Sequence, residues 1–307
     1  MQTTSHILMI RPVQFAFNQE TAVNNAFQVA GNDAGSQEKA LEEFDAMVQL
    51  LRQNGVDVTV VDDTLLPHTP DSIFPNNWIS FHEDGSIVLY PMFAANRRLE
   101  RKPTVLAAVA DKFTVKQTVD LSSREAEAVF LEGTGSMVLD RDNKIAYACL
   151  SPRTDYLVLS EFCEKMGYSA ISFDAVDQKG QPIYHTNVMM CIADKYAVVC
   201  LEAVPAAHEK EELVSAIQKT GKEIISISLD QMNRFAGNML QVQNDKGEPL
   251  LVMSAQAFAA LTKEQADKLN SYNKIIQSPL TTIETNGGGS ARCMMAEVFL
   301  PSKTVST

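Results

Sequence analysis

The chain is dominated by one repeated pattern: two short strands, a helix and a third strand. Its clearest copy has a hairpin of strands 136–140 and 145–150, an amphipathic helix over 155–166 that stops at Gly167, and a strand over 169–173. The same order returns after about 50 to 60 residues, a period typical of propeller-like arrays. The pattern therefore predicts an α/β fold made of repeated ββαβ units.

Four further copies are predicted. Three of them comprise strands 77–82, 86–90 and 113–118 with helix 104–111; strands 188–192, 196–201 and 223–228 with helix 209–220; and strands 238–243, 250–254 and 274–277 with helix 256–269. The last copy is complete only if strand 294–299 pairs beside strand 6–11, ahead of helix 37–54 and strand 56–61. Five units joined in this way predict a closed ring within one domain, 1–307.

A polar side chain opens each unit. In chain order these residues are Asn77, Glu132, His185, Asn238 and Cys293, at separations of 55, 53, 53 and 55 residues. Equivalent positions of rotationally related units lie at equivalent places on a ring, so we expect these side chains to converge on one end of a central channel. A thiolate, an imidazole and a carboxylate are the components of nucleophilic catalysis. The spacing therefore predicts a cysteine-dependent enzyme.

Charge and cysteine content narrow the class of protein. The chain has 26 Lys and Arg against 38 Asp and Glu, a net charge of −12, which repels phosphate backbones and anionic lipid. No apolar run reaches the roughly 18 residues of a membrane span, and the N-terminus lacks the pattern of a signal peptide. We therefore expect a cytoplasmic protein with no nucleic-acid or membrane partner, while a homo-oligomer stays open.

The cysteines and histidines indicate neither a disulfide framework nor a metal site. The five cysteines are odd in number and widely spaced, and histidines other than His185 lack ligand spacing. Four cysteines lie among apolar neighbours and are predicted to be small buried side chains: Cys149, Cys163, Cys191 and Cys200. Cys293 differs because it follows a flexible, glycine-rich polar segment.

Several short motifs occur in an order that covers most of the chain. They are Pro-Asp-Ser-Ile-Phe-Pro-Asn-Asn at 70–77, Asn-Arg-Arg-Leu-Glu at 96–100, Leu-Glu-Gly at 131–133, Leu-Ser-Pro-Arg-Thr at 150–154, His-Thr-Asn at 185–187, and the glycine run from 287 that leads to Cys-Met at 293–294. Together they resemble the guanidino-group-modifying enzymes of the pentein fold: arginine deiminases, dimethylarginine dimethylaminohydrolases and amidinotransferases. The resemblance implies a five-bladed α/β propeller.

The resemblance also implies a mechanism without metal or organic cofactor. Cys293 would attack the central carbon of a guanidino or ureido group, and His185 would protonate the departing amine and then activate water. Glu132 would hold the substrate nitrogens or orient His185.

The amino-acid part of the substrate has its own implied binding residues. Asp71 is similar to the residue that grips an α-ammonium group. Arg153, with Arg97 or Arg98, resembles the clamp for an α-carboxylate, a task that suits the bidentate guanidinium fork.

The departures from the family pattern concern charge. Asn77 and Asn187 stand where deiminases use carboxylates to embrace a cationic guanidinium, and Asn238 completes the predicted substrate-binding set. A buried carboxylate facing a neutral ligand would be unpaired, whereas asparagine offers a donor and an acceptor without charge. We therefore expect a neutral ureido substrate, with citrulline hydrolysed to ornithine, carbon dioxide and ammonia, as in citrulline-utilisation hydrolases. Arg292 is expected to favour the Cys293 thiolate.

Other functions stay open. Within the enzymes these are an arginine deiminase or dimethylargininase, a succinylarginine-type hydrolase and an amidinotransferase. A non-enzymatic ring protein of the ribosome anti-association type is a distant alternative, since it predicts loss of the cysteine, histidine and acid set. A papain-like protease would carry its nucleophile near the N-terminus, unlike Cys293.

Overall fold

Strands and helices alternate throughout the computed structural model, which describes residues 1–29 and 35–303. The remaining residues of the predicted domain, 30–34 and 304–307, lie outside the described part. The strands are β1 (His6–Arg11), β2 (Asp57–Asp62), β3 (Ile79–Phe81), β4 (Ser86–Leu89), β5 (Gln117–Asp120), β6 (Val138–Asp140), β7 (Ile145–Cys149), β8 (Ser169–Phe173), β9 (Met190–Ile192), β10 (Tyr196–Val199), β11 (Glu223–Ser226), β12 (Leu240–Gln243), β13 (Pro249–Ser254), β14 (Lys274–Ser278) and β15 (Ala296–Glu297).

The α-helices include several of only one turn. They are α1 (Gln19–Ala22), α2 (Ser36–Gln53), α3 (Pro103–Lys112), α4 (Gly133–Ser136), α5 (Tyr156–Met166), α6 (Thr186–Met189), α7 (Ala207–Lys219), α8 (Leu229–Met232), α9 (Ala255–Ala260) and α10 (Lys263–Tyr272). Short 3₁₀ helices cover Pro75–Asn77, Asn96–Glu100, Ser122–Glu127 and Leu201–Ala203, and a π-helix covers Ile283–Gly287.

Every sheet of the described residues has the same three-stranded plan. An antiparallel hairpin is extended by a third, parallel strand that follows a crossover helix, in the sheets β3-β4-β5, β6-β7-β8, β9-β10-β11 and β12-β13-β14. The fifth sheet, β15-β1-β2, joins the two ends of the chain: Ile7 pairs with Glu297 on one side and with Val58 on the other. The predicted repeat, including the copy that needs both ends, is confirmed.

The sheets are held by amphipathic helices and by one another. On α2, Phe44, Met47 and Leu51 recur at helical spacing and are buried against the core, and full burial of one such side chain stabilises by about 2 kcal/mol. Consecutive sheets also touch, with β15 on β3, α4 on β3, β6 on β9 and β9 on β12. The Gln243 N–H bonds the Thr4 carbonyl, which links the last of these sheets to the first.

Two predicted elements were wrong in extent. The helix expected over 256–269 is broken at Leu261, because Thr262 caps a new helix in a reciprocal capping box with Gln265. The strand expected over 113–118 begins only at Gln117, because Phe113 instead bridges to Ser302 near the end of the described chain.

The first strand of each unit also starts later than predicted. A single helical turn precedes it in three units: Pro75–Asn77, α4 and α6. Four residues such as Gly-Thr-Gly-Ser are too few to show a helical period, so the sequence pattern gave no signal for these turns. None of the described helices has the length and apolar character needed to cross a membrane.

Candidate active site

The short turns at the start of each unit carry the five polar residues picked out by spacing. Asn77 ends the Pro75–Asn77 turn, while Glu132 and His185 are the N-cap residues of α4 and α6. Asn238 lies just before β12, and Cys293 lies in a turn in which its N–H bonds the Ser290 carbonyl at 3.0 Å. All five side chains are buried: Glu132 bonds His185, Asn238 bonds Cys293, and Asn77 is held by Arg97.

Glu132 and His185 form a tightly coupled pair. His185 Nε2 and Glu132 Oε2 are 2.7 Å apart, and Glu132 Oε1 accepts from the Phe93 N–H at 3.0 Å. Burial favours a raised pKa for Glu132, but the charge of Arg153, the His185 hydrogen bond and Arg97 outweigh it, so the pKa lies well below its usual value. Burial lowers the pKa of His185 to about 4, against the opposing effect of Glu132.

The pair therefore has a defined protonation state at neutral pH. Glu132 is ionised and can only accept, so His185 Nε2 carries the hydrogen and Nδ1 keeps its lone pair. Gly135 makes room for this ring, because a β-carbon there would collide with Asn77 Nδ2 and lie 2.8 Å from His185 Nδ1. The imidazole is thus oriented as a neutral base.

Two carboxamides surround the sulfur of Cys293. Asn238 Nδ2 lies 3.2 Å from Sγ, and Asn187 Nδ2 lies 3.6 Å from it. Cys293 is 4% exposed, and Tyr184 closes one side by donating from its hydroxyl to the Gly288 carbonyl at 2.7 Å. The four other cysteines are free and buried, as predicted, and burial raises the pKa of Cys163 to about 11.

Asp71 is buried beside Arg97 in a second part of the cavity wall, the anchoring end. Its Oδ2 accepts from Asn18 Nδ2 at 2.8 Å and from Thr21 Oγ1 at 3.1 Å, whereas Oδ1 has no hydrogen-bond partner. Burial raises its pKa, with Arg97 opposing that shift from 3.9 Å. The free oxygen is therefore an acceptor available to a ligand.

Arg97 is held within the protein by most of its donors. Its guanidinium contacts both Glu100 oxygens at 2.9 and 3.0 Å, the Phe74 carbonyl at 3.2 Å and Asn77 Oδ1 at 2.8 Å. Burial raises the pKa of Glu100 to about 7, although the charge of Arg97 opposes the shift. Arg97 lines the cleft, but its fork is directed at Glu100 and Asn77.

Arg153 and Arg98 have different surroundings. Arg153 is buried, donates to the Thr21 carbonyl at 2.7 Å and to Asn24 Oδ1 at 2.8 Å, and lies 3.5 Å from Glu132. The side chain of Arg98 is 33% exposed, and its guanidinium bonds the carbonyls of Met92 and Phe93 outside the cleft.

These residues line a narrow cavity of about 10 Å³, roughly the space that one water molecule needs. Of the predicted site residues, the cavity wall includes Asp71, Asn77, Arg97, Arg153, His185 and Cys293. Glu132 lies behind His185, Asn187 and Asn238 lie beside the sulfur, and Arg98 stays outside. No group of three or more metal-binding side chains is assembled among residues 1–29 and 35–303.

Some of the wall was not expected from the sequence. Thr21 and Asn25 come from the polar segment between β1 and α2, which belongs to no repeat unit, and its run of asparagines was the available signal. The glycine-rich segment before Cys293 was expected to be flexible. In the structure its glycines at 287–289 are buried against Phe74 and Gln28. The expectation for Arg292 is not supported by its contacts, because its guanidinium bonds Glu297 and the Met295 carbonyl, each at 2.8 Å.

Known proteins share this fold. One is the N-terminal domain of ArgZ, an arginine dihydrolase from the ornithine-ammonia cycle in Cyanobacteria, with a TM-score of 0.76, 20% identity, and coverage of 96% of this chain and 98% of that one. AgrE, solved with L-arginine, gives 0.76 and 18% identity over 98% of this chain but 41% of its own. DDAH from Pseudomonas aeruginosa, solved with citrulline, gives 0.68 and 16% identity over 97% and 100%.

The sequence itself identifies the family. The family model for eukaryotic N,N dimethylarginine dimethylhydrolase matches residues 11–300, which is nearly the whole chain. No curated protein sequence matches it. The predicted resemblance to guanidino-group-modifying enzymes is therefore confirmed, and the chain belongs to the N,N-dimethylarginine dimethylhydrolase family, whose members are hydrolases acting on carbon–nitrogen bonds of guanidino compounds.

Proposed function

We propose that this protein is a cysteine-dependent hydrolase of a neutral ureido amino acid, with citrulline converted to ornithine, carbon dioxide and ammonia. The observation that carries the proposal is the orientation of the Asn77 carboxamide. Arg97 can only donate, so the Asn77 atom that it contacts at 2.8 Å is the oxygen. The Asn77 NH₂ group is then directed away from Arg97, its Nδ2 is buried without a partner, and Asn77 lines the cavity.

A buried, unpaired donor favours one substrate class over the other. A ureido group presents a carbonyl oxygen that can accept from Asn77 Nδ2. A guanidinium has only donors, so the same position would oppose donor to donor and leave both unsatisfied. Sites that bond a substrate's polar atom reject analogues without it by about 10⁴-fold or more.

The charges behind the cleft support the same preference. Glu132 lies 3.5 Å from Arg153 and 3.9 Å from Arg97, and its Oε2 also bonds His185. Its negative charge is therefore compensated by the protein and needs no cationic substrate. The side chains that bond the sulfur are the uncharged Asn187 and Asn238.

The reaction then follows from the neutral imidazole and the thiol. His185 Nδ1 takes the proton of Cys293, and the thiolate attacks the ureido carbon to form a tetrahedral adduct, whose oxygen Asn77 Nδ2 stabilises. His185 returns the proton to the nitrogen that leaves, and a carbamoyl group stays on sulfur. Water activated by His185 releases it as a carbamate, which decomposes to carbon dioxide and the second amine.

The amino-acid end of the substrate would lie at the charged end of the cleft. The free Asp71 Oδ1 is suited to an α-ammonium group, and Arg153 is suited to the α-carboxylate if the Asn24 side chain moves aside. Arg97 is the weaker candidate for the clamp because Glu100 and Asn77 already occupy its fork.

The test is a panel of citrulline, arginine, succinylarginine, methylated arginines and agmatine, with ammonia measured and products identified by mass. We expect citrulline to give ornithine and ammonia, and we expect Cys293→Ser to have no activity with any of the compounds. Turnover of arginine with citrulline left untouched would contradict the proposal.

Arginine hydrolysis is the second candidate. It is favoured by the fold shared with ArgZ, an arginine dihydrolase, over 98% of its N-terminal domain. In that case the panel gives ornithine from arginine, with citrulline consumed as well.

The arrangement of the sheets completes the proposal. We infer that the five sheets are blades of one pentein-type propeller around a central channel, forming a single catalytic domain. Support comes from the shared ββαβ plan, the contacts between consecutive sheets and the pairing of β1 with β15. A circular permutant that joins the two ends and opens the chain at the Asp142–Asn143 turn should therefore fold.

A further inference from the structure

The carboxamide of Asn238 is fixed by partners on all sides. Its Oδ1 accepts from the Arg292 N–H at 3.1 Å, which directs Nδ2 to the other side. One Nδ2 hydrogen is donated to the Asn187 carbonyl at 2.9 Å, and the other points to Cys293 Sγ at 3.2 Å. Asn238 is 1% exposed. Turning the amide over would therefore break the bonds to Arg292 and Asn187.

We infer that Asn238 is a further catalytic residue, whose N–H stabilises the negative charge on Cys293 before attack and again when the sulfur leaves. The inference rests on the proposed function for the identity of the nucleophile, but not for the identity of the substrate. A hydrogen bond to an ionised acceptor is about twice as strong as one to a neutral acceptor. The Asn238 donor therefore favours thiolate over thiol.

The donor acts on the sulfur whatever the substrate, and a neutral substrate would increase its importance. A guanidinium would bring its own positive charge to the sulfur, whereas a ureido group brings none. Arg292 does not replace it, because Glu297 pairs with its guanidinium at 2.8 Å. The amide of Asn187 is more distant, with Nδ2 at 3.6 Å and Oδ1 at 3.9 Å from the sulfur.

Other ionisable groups face or back the same cavity and contribute a constant background. They are Asp71, Arg97, Glu132, Arg153, Tyr184, His185 and, on the Cys293 turn, Arg292. Substituting Asn238 leaves all of them in the chain. A change in the pH dependence of Cys293 reactivity then reports the loss of the amide donor.

The experiment measures alkylation of Cys293 by iodoacetamide without substrate, followed by peptide mass mapping from about pH 5 to pH 10. In Asn238→Ala we expect the midpoint of the rate profile to rise by about one pH unit, a tenfold loss of thiolate. In Asn238→Asp an acceptor replaces the donor, so the rise should be larger. The rate at high pH should stay within about threefold, because the thiolate is then fully formed.

The matched control is Gln241→Ala. Gln241 is a buried amide of the same unit, and its side chain bonds Asn273 and the Asp194 N–H instead of the sulfur. Its midpoint should equal that of the wild type. If Asn238→Ala does not fold, the uncharged Asn238→Leu, which is similar in size, carries the test, because the added charge of Asn238→Asp raises the midpoint even without the loss of a donor.

Two outcomes overturn the inference and can be told apart. A lowered rate at high pH with an unchanged midpoint in the uncharged Asn238 variants means that Asn238 only holds the turn, and it leaves the proposed function intact. A wild type in which Cys163 labels before Cys293 overturns the nucleophile, and with it both proposals.

Discussion

The two ends of the cleft differ in the charge of the side chains that line them. At the sulfur end, Cys293 contacts the neutral carboxamides of Asn187 and Asn238, and the same cavity wall holds His185, whose pKa burial lowers to about 4. At the anchoring end, Asp71 and Arg97 belong to a buried network of ion pairs and hydrogen bonds. Fixed charges thus lie where a substrate would be held unchanged, and neutral donors lie where charge would develop during the reaction.

The largest expected effect on activity comes from a substitution at the sulfur end. Cys293→Ser removes the nucleophile, so we expect kcat for the preferred substrate to fall by at least about 10⁴-fold with the fold preserved. Cys163→Ala, a buried cysteine outside the cleft, is the control and should retain activity. Residual turnover of Cys293→Ser within a hundredfold of wild type would rule out the covalent route.

The second test removes the negative charge of Glu132. Glu132→Gln keeps the shape but leaves a protonated His185 without its ionic partner, so kcat should fall by about 10³-fold. Steady-state kinetics at saturating substrate measures this, with circular dichroism to verify folding. If kcat changes by less than tenfold, the imidazole does not depend on Glu132.

The third test compares Arg153, in the cleft wall, with Arg98, outside it. Arg153→Met should raise KM by about 100-fold with a smaller change in kcat, since it removes a bidentate carboxylate partner. Arg98→Met should raise KM by less than about threefold, because its guanidinium bonds carbonyls outside the cleft. The reverse order would assign the α-carboxylate to Arg98.

The fourth test concerns stability and pH. Folded His185 has a pKa of about 4 against 6.5 for an exposed histidine, so between these values only the unfolded chain binds the proton. Stability therefore decreases as the pH falls from 6.5 to 4, and this histidine accounts for about 3 kcal/mol of that loss. Urea unfolding of wild type and His185→Gln across this range measures it. Equal losses in both proteins would show that His185 is not buried in its neutral form.

Repetition explains why much of the fold was predictable. Strand and helix order follow from local periodicity, and a constant spacing identified the residues that open each unit, from Asn77 to Cys293. The segment around Asn24 belongs to no unit, so no spacing pointed to its contact with Arg153. The main contacts of Arg97 could not be predicted from the sequence either, because a buried guanidinium depends on partners such as Asn77 that only the fold brings near.

Direct competition tests the central claim that the cleft selects a neutral ureido group. Equal concentrations of citrulline and arginine in one reaction, followed by mass spectrometry, give the ratio of the two kcat/KM values. We predict that citrulline is consumed at least about tenfold faster than arginine. Faster consumption of arginine would contradict the claim, since the Asn77 donor would then face a cation in the productive complex.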